Sequence, residues 1–118
     1  MSEVDLTMFT GNLAADPEGG SGPDATVANL RVAKHRTWKD KSTGEERKAN
    51  EFVDVEVWGS QAERCLEELQ KGHRVLVVGS LRQNNWQEED GKNRSKLFVR
   101  ASHVQPTFEF APGRGEDQ

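Results

Sequence analysis

The 118-residue chain has no tyrosine, a single cysteine and no apolar run longer than the four residues Val75-Leu76-Val77-Val78. A membrane-crossing helix needs about 20 consecutive apolar residues, so none is encoded here. One cysteine excludes an intrachain disulfide and fits a reducing compartment. Met1-Ser2-Glu3-Val4-Asp5 carries acids where a secretory signal carries positive charge, and the expected location is the cytoplasm. Walker loops, nucleophile elbows and metalloprotease helices are also missing. His35, His73 and His103 lack metal-ligand spacing, so the chain reads as no enzyme, with no metal and no cofactor.

What remains fits one domain. A chain of this length buries roughly 65% of its unfolded surface, enough for one modest core. Only 33% of its residues are hydrophobic, but they fall in short patterned runs. Val4, Leu6 and Met8 alternate with polar residues and lead into a first strand, broken by a Gly11-Asn12 bend. Residues 16–24, rich in Gly and Pro, form a plain loop. Ala28, Leu30 and Val32 mark a second strand running to Trp38, and residues 39–49 a charged loop. In the third strand Val53, Val55 and Val57 face the core, which leaves Phe52, Asp54, Glu56 and Trp58 on the opposite face.

Ser60-Gln61-Ala62-Glu63 has the form of a capping box. It opens a helix of about three turns, with Ala62, Cys65, Leu66 and Leu69 on its apolar stripe and Gly72 closing it. Cys65 is therefore expected to be a buried thiol. Residues 73–83 and 95–104 supply the last two strands, with Gly79 at a bend. Asp90-Gly91 between them is a hairpin signal, predicting a two-stranded arm that carries Trp86. Residues 106–118 have no apolar pattern and read as a short disordered tail after a domain over 1–105. The order of three strands, a helix and two strands predicts an all-β fold with one short helix. Its plan is a five-stranded Greek-key barrel of the OB type, with an extended hairpin arm between the fourth and fifth strands.

The charge pattern points to a polyanion. Net charge is −4, yet fourteen of the sixteen Lys and Arg fall in windows 31–48, 71–82 and 92–100, which hold only Asp40, Glu45 and Glu46 among the acids. A localised basic stripe dominates the field at such a surface; the plainer alternative is a set of solvated strand edges and loops. Trp38, Phe52, Trp58 and Trp86 interleave with these cations, and flat rings beside cations suit unstacked bases and their phosphates. For Phe52 and Trp58 packing against another element or subunit is the structural alternative.

The chain resembles the bacterial and phage single-stranded DNA-binding proteins. The resemblance is carried in order by Gly11-Asn12-Leu13 with Asp16-Pro17, Trp38-Lys39-Asp40 with Thr43-Gly44-Glu45, Phe52 to Gly59, Lys71-Gly72, Val75 to Arg82, and Trp86 before Asp90-Gly91. It implies sequence-independent binding of single-stranded DNA in replication, recombination and repair, usually as a homotetramer, in the cytoplasm with the nucleoid. It also implies stacking by Trp38, Phe52, Trp58 and Trp86. Phosphates would then meet Lys34, Arg36, Lys39, Lys41, Arg74, Arg82, Lys92, Arg94 and Lys96.

Two features depart from the family. Asp54 and Glu56 stand on the expected nucleic-acid face, where each repels phosphate and weakens binding or sharpens its salt dependence unless a neighbouring Arg pairs with it. The ending Gly115-Glu116-Asp117-Gln118 has acids but lacks the apolar tip through which the family recruits replication and repair proteins. An OB module that binds RNA and a protein-interaction module with a weakened DNA surface remain the alternatives.

Overall fold

The computed structural model describes residues 3–107. Its elements are β1 (Thr7–Leu13), β2 (Glu18–Ser21), β3 (Thr26–Lys39), β4 (Glu46–Trp58), α1 (Ser60–Glu68), β5 (Arg74–Gln87) and β6 (Asn93–Pro106). The strands run β1-β5-β6-β4-β3-β2, and β1 also pairs with β3 through Asn12–Ala33 and Leu13–Val32. Five strands thereby close on one another as the OB-type barrel expected, with β4 and β6 parallel at Val55–Val99. The expected tail lies, from residue 108 onward, outside the described residues. Among the described residues no helix is long and apolar enough to cross a membrane.

Alternation builds the core. Leu13, Ala28, Leu30, Val32, Val55, Val57, Val75, Val77 and Val99 are buried, and Ala62 and Cys65 of α1, with Leu69 just after it, close one end of the barrel. Burial pushes the Cys65 thiol up, as expected of an apolar setting.

Four local expectations are corrected. Val4, Leu6 and Met8 are exposed; on β1 the inward side belongs to Phe9, Gly11 and Leu13. Gly11 is no bend but a close approach, since a Cβ there would lie 2.6 Å from the Ala33 carbonyl oxygen and from Val32 Cγ1. Within the supposed loop 16–24, β2 pairs with β3 from Glu18–Asn29 to Ser21–Thr26. Gly19 allows this, with φ 141° and a Cβ position only 2.0 Å from the Val27 oxygen. The charged loop over 39–49 shrinks to residues 40–45, because the β3–β4 ladder continues to Lys39–Glu46 as an arm of its own, ahead of the expected β5–β6 arm in the chain.

A further correction concerns the helix start. Gly59, at φ 76°, is the N-cap and donates its N–H to the Thr26 oxygen (2.8 Å), so Ser60 already lies inside the helix and caps nothing. Glu63 instead accepts from the Thr26 hydroxyl at 3.3 Å. Ser60→Ala should therefore change stability by less than about 0.5 kcal/mol, against the ~1 kcal/mol that loss of a true serine cap costs; a urea midpoint measures it. At the other end α1 stops at Glu68 and not at Gly72, which lies in the following turn at φ 95° and donates its N–H to the Leu13 oxygen.

Candidate nucleic-acid interface

Strand parity decides which side chains share a surface. On β4 the residues Phe52, Asp54, Glu56 and Trp58 alternate with the inward valines, and the β3–β4 register sets Arg31 opposite Asp54. On β6 the register Glu56–Arg100 continues the same exterior face through Arg100, Phe98, Lys96 and Arg94. The β5–β6 ladder, paired to Gln87–Asn93, carries it to Arg82, Asn84 and Trp86. Three of the four expected stacking residues, Phe52, Trp58 and Trp86, thus occupy one continuous exterior face.

Trp38 does not join them. It shares parity with the buried Leu30 and Val32, and stands with Lys34 and Arg36 on the other side of the β3–β4 ribbon. All four rings are open to solvent, between 40% exposed for Trp58 and 50% for Phe52, so none is consumed by packing within the chain.

Each arm has the same construction. Trp38 lies opposite Arg47 on the first arm and Trp86 opposite Arg94 on the second. The turn holds each arginine by an acid: Arg47 Nη2 donates to Asp40 at 3.4 Å, and Arg94 Nε to Glu88 at 3.0 Å. The Ser42 hydroxyl first, then the Ser42 and Thr43 N–H groups and Arg47, hold the Asp40 carboxyl below the usual carboxylate range. At the second turn Gly91 takes φ 85°, as the Asp-Gly signal required, although the loop spans residues 88–92.

Guanidinium groups lie on the rings. Arg31 sits 4.8 Å from the Phe52 centroid, Arg36 4.9 Å from Trp38 and Arg100 4.8 Å from Trp58. Trp58 Nε1 donates to Glu56 at 2.6 Å, which fixes the indole and gives that carboxylate a partner. Asp54 accepts from Arg31 and Lys96, both at 3.0 Å. Partial burial pushes the Asp54 carboxyl up, but Lys96 and then Arg31 outweigh that and hold it below the usual range. The two acids that departed from the family pattern are therefore both engaged.

A groove of about 760 Å³ runs along this face, lined by Asn29, Arg31, Asp54, Glu56, Asn84, Lys96 and Phe98 among others. Of the expected phosphate contacts, Arg82, Arg94 and Lys96 belong to this surface, while Lys39, Lys41 and Lys92 stand at the two arm tips. Lys34 lies over Phe9 at 5.2 Å. Arg74 stands apart, on the wall formed by β1 and β5, where it donates to Asn12 at 3.0 Å and Thr10 at 3.2 Å. The sequence reading left out Arg31, Phe98 and Arg100. Parity and cross-strand neighbours were the signal that finds them, since a charge count by windows does not distinguish faces.

The model of the single-strand binding protein family matches residues 4–107. Among solved structures the chain is similar to the Plasmodium falciparum SSB in complex with ssDNA. The two share 19% identity over 92% of this chain and 98% of that one, with a TM-score of 0.85. It is also similar to a deletion mutant of the single-stranded DNA binding protein from Thermus aquaticus, at 28% identity and a TM-score of 0.79. That match covers 93% of this chain but 52% of the other, so the chain spans about half that protein's length.

Proposed function

The chain belongs to the single-strand binding protein family, and from that premise we propose that the exterior face of β3, β4, β5 and β6 is its strand-binding surface. Binding of single-stranded DNA is the activity of the family. The observation that carries the assignment of the surface is the continuity of Phe52, Trp58 and Trp86 with Arg31, Arg82, Arg94, Lys96 and Arg100 on one side of the barrel.

Bases stack on the rings, a contact every base can make, while the cations meet the phosphates; this combination is indifferent to sequence. Arg31 and Arg100 each cover part of a ring, so a base takes the open part of the face and its phosphate finds the guanidinium alongside. Trp38, with Lys34 and Arg36, provides a further platform around the edge of the first arm. A strand that uses all four rings bends round that edge. Its course leaves Arg74 outside the path. Protection of single strands during replication, recombination and repair, in the cytoplasm and as a homotetramer, is the setting consistent with this surface.

Tryptophan fluorescence reads the proposal directly. Oligo-dT should quench it strongly, with affinity falling as salt rises, whereas duplex DNA should leave it nearly unchanged. Stronger quenching by oligo-U than by oligo-dT would move the assignment to RNA, for which the 2′-OH is the discriminating group. Silence towards every nucleic acid would refute it.

A further inference from the structure

The cations of this surface do not wait for phosphate alone. Arg31 and Lys96 meet on Asp54, Arg94 meets Glu88, and on the arm Arg36 meets Glu51 at 3.4 Å. Asp54 differs from the other acids in its position. It takes one cation from β3 and one from β6, each at 3.0 Å, where all three line the groove, and its side chain remains 31% exposed. A phosphate arriving at Arg31 or Lys96 therefore arrives beside a carboxylate that already occupies the same donors.

We propose that Asp54 is a specificity residue that stands in for phosphate on Arg31 and Lys96 and so discriminates against duplex DNA. This rests on the single-strand reading of the surface. A phosphodiester that displaces Asp54 exchanges one anion for another on the same donors, and the displaced carboxylate then repels it. Duplex DNA offers this face mainly phosphates, because its bases are paired and stacked, so the exchange is nearly all it has. A single strand also brings bases to Phe52, Trp58 and Trp86, so its binding draws on stacking that the exchange at Arg31 and Lys96 does not touch. The carboxylate thus penalises the ligand that depends on charge and spares the ligand that stacks.

The test is Asp54→Asn in the full chain, which keeps the shape of the side chain and removes its charge. Asp54→Glu serves as the charge-retaining control, and thermal melting shows that each variant is folded. A labelled oligo-dT and a blunt duplex of equal length are titrated at several salt concentrations. Asp54→Asn should raise duplex affinity about tenfold at low salt, and steepen the duplex salt slope by about 0.9 for each cation released. Affinity for oligo-dT should rise no more than about threefold, so the ratio of single-strand to duplex affinity falls, while Asp54→Glu keeps it. An unchanged or larger ratio in Asp54→Asn would overturn the role of Asp54 alone. Failure of the unaltered chain to bind oligo-dT would overturn the strand-binding surface and this role together.

Discussion

Replacing Trp38 and Trp86 together by alanine is expected to weaken binding of a labelled oligo-dT by about 2–6 kcal/mol, from roughly 1–3 kcal/mol for each lost stack. That is a fall of between about thirtyfold and twenty-thousandfold, read by fluorescence anisotropy. The melting temperature should hardly move, because both rings are more than 40% exposed on arms beyond the core. The two residues are also the least ambiguous of the four. Phe52 and Trp58 carry Arg31 and Arg100 on their rings, so alanine there also disturbs cations of the exterior face. Trp38 carries Arg36, which keeps Glu51 when the ring is gone. A loss smaller than threefold would show that the strand follows the barrel face and ignores both arms.

The second large effect concerns stability. A Cβ added at Gly79 would lie 2.2 Å from the Arg100 oxygen and 2.8 Å from Ala101 Cα, both parts of the backbone of β6, which has no rotamer with which to yield. The β5–β6 register also shifts between Val78 and Gly79, so the glycine marks the passage from barrel to arm. Gly79→Ala should cost about 3 kcal/mol or more, the upper end for overpacking, and shift the urea midpoint accordingly. Gly20→Ala is the control: no atom lies within 4 Å of its Cβ position, and it should be close to neutral. Because Arg100 lies over Trp58, any Gly79→Ala protein that does fold should also bind oligo-dT more weakly.

Legibility in the sequence followed the physics of alternation. Val53, Val55 and Val57 turn inward from polar or exposed neighbours, so that strand was readable from period two, whereas Val75 to Val78 showed only as a short apolar run, in which Val75 and Val77 are buried and Leu76 and Val78 half-buried. The β2 strand was not readable, because Glu18-Gly19-Gly20-Ser21 has no apolar side chain and is held by its backbone ladder to β3. The first arm looked like a loop for a related reason. From Lys34 to Asn50 both of its faces are polar, so nothing in the pattern separates a solvated ribbon from a solvated coil. The capping box failed on one residue of phase, since Gly59 leaves the sheet in a left-handed conformation and takes the cap position before Ser60 can.

For the site, parity on β4 correctly put Phe52 and Trp58 together. The same argument applied to β3 separates Trp38, which shares parity with Leu30 and Val32, from the exterior face. Arg31 and Arg100 were hidden because their role depends on what lies across the ladder, and cross-strand pairing is not written in a single segment.

The two arms differ from the barrel in mechanical kind. The barrel strands are clamped by neighbours on both sides and by a dry interior, whereas each arm is a ribbon two strands wide with polar side chains on both faces. Two-stranded ribbons bend and twist at little cost, while a closed barrel does not. On the proposed surface Phe52 and Trp58 would therefore be fixed anvils, with Trp38 and Trp86 mounted on springs. Purines and pyrimidines differ in size and in how far they push successive phosphates apart, and compliance at the two ends would take up that difference without disturbing the middle.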